Sequence, residues 1–185
     1  MNSDRPPDDA SQAANVRCAQ PDIVYSEDNA NSYGLIPGGN YAGRDFLGAD
    51  LTGLRLSKAD FSKANLSNAK LRGTLLDEAN LSGAILDGAY LELAVLGGAN
   101  LQCASLRDAN LKRANLVGVN AADANFSGSD FYYSRPGNGN FENAVFTNAK
   151  IDRAIFRRAN LRNADMSGAT GEANFENANR EGMRQ

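Results

Sequence analysis

Residues 59–68 read ADFSKANLSN, two copies of a five-residue unit: Ala, then Asn or Asp, then a large apolar residue, then two polar residues. The unit recurs along most of the 185-residue chain. Every fifth position from Ile36 to Met166 holds a large apolar residue, with Ala121 and Pro136 as the exceptions. Two positions earlier, two thirds of the units have Ala, and the intervening position is Asn or Asp in more than half of them. Such a strict internal period is typical of a solenoid protein.

A period of five matches neither the 3.6-residue period of an α-helix nor the two-residue alternation of a flat sheet. Ala and the large apolar residue are two positions apart, so they point to the same side of a short extended segment. The two residues that follow are rich in Ser, Gly, Asn, Lys and Arg, which suit a turn that faces water. Each unit is therefore predicted to be a short strand and a bend, and repeated bends wind the chain into an all-β solenoid with the apolar residues inside.

The Asn/Asp position indicates how many units make one coil. When every fourth unit is compared, all seven members of the series from Asn40 to Asn160 are Asn or Asp, whereas the series from Leu35 to Ile155 has one Asn in seven. Like side chains form ladders when equivalent positions stack directly above one another. We therefore predict four units per coil, a four-sided cross-section and about seven coils over residues 36–170.

This pattern resembles the pentapeptide repeat family, most clearly in the units 59–63, 64–68 and 109–113. The resemblance covers the greater part of the chain and implies a right-handed quadrilateral β-helix. It implies little about function, because most members of the family are uncharacterised. Many members come from cyanobacteria, in the cytoplasm or the thylakoid lumen. One branch, the quinolone-resistance proteins, binds DNA gyrase by mimicking DNA in shape and charge.

The two ends depart from the repeat, which divides the chain into residues 1–35, 36–170 and 171–185. Residues 1–35 carry six acidic and two basic residues, and we expect their first part to be disordered. Residues 16–25 are expected to cap the open first coil, because an uncovered end exposes core and strand edges. After Ala169 the register slips by one residue, and residues 173–181 are predicted to form one more strand or a short capping helix; we favour incomplete repeats that end in a short helix. The protein is expected to be a monomer or a weak homodimer through a solenoid end.

The composition excludes several classes of function. The chain has no His, which removes Ser-His-Asp and Cys-His catalysis and the commonest metal ligand. Two cysteines cannot build a zinc site, and no apolar run approaches the ~20 residues of a membrane span. We therefore expect no enzymatic activity, cofactor, metal or membrane span. We expect a cytoplasmic protein, with the thylakoid lumen or the periplasm as alternatives if a leader has been removed. Free thiols are then expected at Cys18 and Cys103, with a disulfide between them as the alternative.

The sharpest departure from the repeat is the stretch 132–139. Phe131 and Phe141 stay in phase on either side, so the stretch replaces one unit without adding length. Pro136 occupies a core position, where it has no N–H to donate. Two interpretations are open: a protruding loop that presents two tyrosines and an arginine, or a bulge that is tolerated within one coil.

A second departure concerns one outer corner, where every fourth unit stacks. Apolar residues lie there in the upper coils, nearer the N-terminus, and tyrosines and arginines lie in the lower coils, nearer the C-terminus. The apolar group consists of Leu75, Tyr90, Leu93 and Val95; the lower group consists of Arg113, Tyr132, Tyr133, Arg135, Arg153, Arg157 and Arg158. An exposed apolar patch can mark a protein contact, and arginines interleaved with tyrosine can hold phosphates or an acidic partner. The alternatives are that the N-terminal segment covers this corner, or that the charges are the ordinary surface of a solenoid.

The leading hypothesis is a non-enzymatic scaffold that mediates protein–protein interaction with an unidentified partner. The alternative is a DNA-mimicking regulator or protector of DNA gyrase or topoisomerase, which requires a continuous acidic face. Residues 36–170 contain 15 basic and 13 acidic residues, a balance of +2, so this region is not DNA-like. The net charge of −3 for the whole chain is also too small to indicate direct binding of nucleic acid.

Overall fold

The computed structural model describes residues 34–185, which are organised as parallel ladders of isolated β-bridges. Each bridge pairs equivalent positions of units that are four units apart, from Asn40 with Asp60 to Lys150 with Thr170. Within the described residues there is no helix and no strand longer than one bridge residue, because a two-residue turn follows every unit. This offset confirms the four-unit coil that the Asn/Asp series predicted.

The solenoid has four faces, each defined here by the column of its bridge residues. Face 1 contains the column from Asn40 to Asn160, and face 2 the column that begins at Asp45. Face 3 begins at Asp50 and face 4 at Arg55. Adjacent faces are joined by two-residue corners, whose second residue has a positive φ near 60°.

One unit shows how the repeat satisfies its own backbone. The N–H of Leu101 donates to the carbonyl of Asn120 in the next coil at 2.6 Å, and the N–H of Cys103 donates to Ala122 at 3.0 Å. The N–H of Ala104 closes the turn onto Leu101 at 2.9 Å. The remaining turn donor, at Gln102, is accepted by the Asn100 side chain at 3.2 Å. Asn or Asp is therefore favoured at the bridge position because its side chain pairs a turn N–H that no backbone carbonyl reaches.

On face 1 the Asn side chains also form hydrogen bonds from one coil to the next. The Asn100 amide donates to the Asn80 side-chain oxygen at 3.3 Å, and the Asn120 amide donates to Asn100 at 3.4 Å. Similar bonds join Asn140 to Asn120 at 3.2 Å and Asn160 to Asn140 at 2.9 Å. This ladder of amides is the structural reason for the unbroken Asn/Asp series on face 1.

The core consists of the large apolar residues with the Ala residues as a smaller layer beside them. From Tyr41 to Met166 the predicted core positions are buried, whereas Ile36 at the first turn is 62% exposed. Phenylalanine rings fill the lower part, where Phe126 and Phe146, one coil apart, stack with centroids 5.0 Å apart. The predicted core register is therefore confirmed for these positions.

The end of the chain differs from our expectation of a short helix. Three further bridges continue the ladder at an offset that is one position shorter, namely Ile155 with Asn174, Asn160 with Asn179 and Asp165 with Arg184. The shortening occurs at Gly171, whose φ of 98° is a conformation that side chains disfavour. The expected helix after Gly171 is therefore wrong, and the slip of register is absorbed within a further turn of the solenoid. The expected disorder and cap in residues 1–33 lie outside the described residues.

Replacing Leu86 by Asp is expected to unfold the protein. Leu86 is fully buried, so an ionised carboxylate there would have no partner and would cost on the order of 5 kcal/mol. The matched control is Leu93→Asp at a corner, where the side chain is 40% exposed and the melting temperature should change little. Thermal denaturation followed by circular dichroism measures both, and a Leu86→Asp variant that melts like the parent protein would contradict the core register.

Candidate functional site

The sequence-predicted surface residues lie on face 4 and on its two flanking corners, not on a single corner. Leu75, Val95 and Arg135 are bridge residues of face 4. Leu93, Arg113, Tyr132, Tyr133 and Arg153 lie at the corner between faces 3 and 4, and Arg157 and Arg158 lie at the corner between faces 4 and 1. Tyr90 belongs to face 3, so it borders this surface across the corner that holds Leu93.

Below Arg55, the upper part of face 4 is apolar. Leu75 and Val95 are bridged to each other and half-buried, while Leu93 is 40% exposed. Neither Leu75 nor Val95 can accept a hydrogen bond from the turn that follows it. Among the described residues, no side chain accepts the turn N–H of Asp77 or Gly97, in contrast to the pairing at Gln102. The apolar residues are therefore present although they remove a bond that the repeat normally makes.

The corner below carries two tyrosines and an arginine in contact. The rings of Tyr132 and Tyr133 are 4.6 Å apart and nearly perpendicular. The Arg153 guanidinium lies 5.0 Å from the centroid of Tyr133 and donates a hydrogen bond to its hydroxyl. This hydrogen bond raises the pKa of the Arg153 guanidinium.

The stretch 132–139 is a regular part of the coil, so of the two interpretations the protruding loop is wrong, and the stretch is accommodated within one coil. Its turns fall at 132–133 and 137–138, and Arg135 is bridged to Asn115 in the coil above. The departure is instead a local break in the ladder of face 4. Leu116 donates its N–H to the carbonyl of Arg135 at 3.1 Å, but Pro136, one coil below Leu116, has no N–H to donate. Within the described residues, Arg135 and Ile155 form no bridge and the carbonyl of Ile155 accepts no hydrogen bond.

An open groove of about 420 Å³ lies beside this break. Val117 and Ile155 contribute apolar surface, with exposed fractions of 36% and 40%. Arg135, Arg157 and Arg158 supply its positive charge. Sequence reasoning missed Val117 and Ile155, although the same signal, an apolar residue at a position that is usually polar, could have found them.

The arginines of this region differ in whether they form ion pairs. Some charged residues of the solenoid pair with an opposite charge in an adjacent coil, as in Lys58 with Glu78 at 3.6 Å and Arg72 with Glu92 at 3.6 Å. Arg157 pairs in this way with Glu176 at 3.4 Å. Within residues 34–185, the neighbouring Arg135 and Arg158 form no ion pair, and neither does Arg113. Face 4 therefore presents unneutralised positive charge below its apolar part.

Cys103 lies half-buried at the corner between faces 1 and 2, away from this surface. It is bonded in a disulfide, so the expectation of a free thiol at this position is wrong. Cys18, the other cysteine of the chain, lies outside the described residues. In residues 34–185 there is no helix that is long and apolar enough to cross a membrane.

The family model for pentapeptide repeats matches the chain in eight copies, over residues 45–77, 74–113, 104–135 and 140–170. The chain belongs to the pentapeptide repeat family, and its solenoid is accordingly a right-handed quadrilateral β-helix. No relative among curated protein sequences matches it.

Solved structures of similar proteins include HetL, a pentapeptide repeat protein involved in heterocyst differentiation regulation from the cyanobacterium Nostoc. It is 25% identical, with 80% of this chain and 75% of HetL covered and a TM-score of 0.47. A pentapeptide repeat protein of the Arabidopsis thaliana thylakoid lumen is 35% identical over 57% of this chain and 70% of its own, with a TM-score of 0.44. QnrB1, a plasmid-mediated fluoroquinolone resistance protein, is 19% identical over 79% of this chain and 89% of its own, with a TM-score of 0.47. These likenesses, all with TM-scores below 0.5, say nothing about the function of this chain.

Replacing Ser134 by Ala is expected to stabilise the protein. Ser134 occupies an Ala position beneath face 4, and its hydroxyl is fully buried without a hydrogen-bond partner among residues 34–185. Removing an unsatisfied buried hydroxyl should raise the free energy of unfolding by about 1 kcal/mol. The matched control is Ser129→Ala, because the equally buried Ser129 hydroxyl donates to the carbonyl of Leu106 at 2.5 Å. Urea denaturation should show a gain for the first variant and a loss for the second, and a loss in both would contradict the analysis of Ser134.

Proposed function

We propose that this protein is a non-enzymatic scaffold that binds a partner protein through face 4 and the corner that carries Leu93. The observation that supports this most directly is the replacement of Asn/Asp by apolar residues on the upper part of that face. Bridge side chains point away from the core, so the core does not require Leu75 or Val95. Each replacement also gives up a side-chain hydrogen bond to a turn, at a cost of about 1 kcal/mol. A surface that is covered in a complex accounts for this cost, because burial then favours apolar side chains.

The DNA-mimicking alternative has no observation in its favour. Mimicry of a duplex demands a continuous acidic surface, whereas the lower part of face 4 presents arginines without ion pairs in residues 34–185. Residues 36–170 also carry a positive balance of +2. The charge of the solenoid therefore opposes regulation of gyrase by DNA mimicry and favours the scaffold.

The disulfide at Cys103 bears on the compartment. Disulfides are rare in the cytoplasm, where thiols are kept reduced, and they persist in the periplasm and other oxidising compartments. We therefore propose that the protein acts in an oxidising compartment, in place of the cytoplasm that we expected from the sequence. Maleimide labelling in intact cells of the source organism tests this: labelling of Cys103 without prior reduction would contradict the proposal.

The proposed contact is tested by the double variant Leu93→Ser, Val95→Ser, used as bait in cells of the source organism. Recovery of a partner by crosslinking and quantitative mass spectrometry should fall at least tenfold relative to the parent protein. Leu47→Ser is the matched control, because Leu47 is 56% exposed at the corner between faces 2 and 3 and should leave recovery unchanged. Equal recovery with both variants, at unchanged melting temperatures, would refute face 4 as the contact.

A further inference from the structure

We propose that the groove beside Pro136 binds a short acidic peptide segment of the partner, with carboxylates on Arg135 and Arg158 and an aliphatic side chain on Val117 and Ile155. This inference rests on the proposed function and extends it, since it assigns a ligand chemistry to the lower part of face 4. The groove is lined by residues of four successive coils, from that of Val117 to that of Glu176, and opens toward solvent.

The charge of the groove favours an acidic ligand. Three arginines and one glutamate contribute to its lining, a balance of +2, although the whole chain has a net charge of −3. Arg157 is already paired with Glu176, but Arg135 and Arg158 form no ion pair with any of the described residues. Guanidinium groups bind carboxylates through two parallel hydrogen bonds, so these two arginines suit Asp or Glu side chains.

The apolar part of the groove distinguishes a peptide from a simple anion. Val117 and Ile155 expose 36% and 40% of their surface between the arginines. Both occupy positions that are polar in most units, and Ile155 stands where Asn or Asp would pair its own turn. A ligand with carboxylates alone would leave this surface in water, whereas an aliphatic side chain next to the acid would cover it.

The groove also owes its shape to the break in the ladder. A Cβ atom at Gly137 would lie 3.1 Å from the carbonyl oxygen of Arg157 and 3.4 Å from that of Ile155. Because Gly137 has no side chain, the two coils approach each other closely without filling the space in front of Ile155. Gly137 thus lines the groove within a regular coil, next to the buried Pro136.

Fluorescence anisotropy with a labelled peptide of alternating Glu and Leu tests the proposal on the full-length chain. We expect saturable binding that the double variant Arg135→Gln, Arg158→Gln weakens at least tenfold and that Ile155→Asn weakens severalfold. The matched control is Lys63→Gln, Lys150→Gln, which removes the same charge from exposed residues outside face 4 and the groove and should change affinity less than twofold. A Gln/Leu peptide and an all-Glu peptide should both bind at least tenfold more weakly. All variants should melt like the parent protein.

Several results would overturn the proposal. Absence of saturable binding, an equal loss in the control variant, or tighter binding of a single-stranded oligonucleotide of equal charge would each refute an acidic peptide site. Residues 1–33 carry six acidic and two basic residues, so they are a rival occupant. If these residues occupy the groove, a full-length variant with their acids changed to amides would bind the Glu/Leu peptide at least tenfold more tightly than the parent protein. A further contrary result would be that the parent protein has the mass of a dimer in solution and the Arg135→Gln, Arg158→Gln variant that of a monomer. The groove would then bind a second copy of this chain.

The same experiments separate this proposal from the proposed function. If peptide binding fails while partner recovery still depends on Leu93 and Val95, the peptide site is wrong and face 4 remains the contact. If peptide binding depends on Arg135 and Arg158 while the Leu93 and Val95 variant recovers its partner normally, the groove stands and the apolar contact is wrong.

Discussion

The hydrogen bonds between successive coils are the interaction on which the rest of the structure depends. In nearly every unit the core residue donates its N–H to a carbonyl of the next coil, as Leu86 does to Ser105 at 2.6 Å. The bridge residue donates back to the previous coil, as Ser105 does to Ala84 at 2.9 Å. Because these bonds recur in nearly all units, a side chain's position in the unit determines whether it lies in the core, at a turn or on a face.

This constraint leaves the outer side chains free to vary, but at a cost that differs between positions. Asn or Asp at the bridge position pairs a turn N–H, as Asn100 does for Gln102. On face 1 the same side chains also bond from coil to coil, so substitution there would break two kinds of contact. Face 4 has given up most of these bonds. Its bridge residues are instead apolar at Leu75, Val95 and Ile155 and basic at Arg55 and Arg135. Departures from the repeat are informative because the usual residue at each position has a known structural role. Its replacement therefore needs another explanation.

Pro136 shows how much disturbance the ladder tolerates. The proline removes one inter-coil donor, and Arg135 and Ile155 lose their bridge, yet the turns on both sides keep their places. Ile155 still donates its N–H to Ser134 at 3.0 Å, so the two coils remain bonded on one side of the gap. A solenoid spreads its stability over many equivalent contacts, and one missing bond therefore changes the surface more than the fold.

The sequence by itself determined the period, the four-unit coil and the core register, because the identity of every fifth residue follows from burial and that of the bridge position from stacking. It also identified most residues of the candidate surface, since Leu75, Val95 and Arg135 break a rule that can be read from the chain. Only the tertiary structure decided that 132–139 stays within the coil and that the chain continues past Gly171 without a helix. It alone brought Val117, Ile155 and the arginines around one groove. The reason is that inter-coil bonding can absorb a proline or a missing residue, and this capacity depends on contacts that lie a full coil away in the sequence.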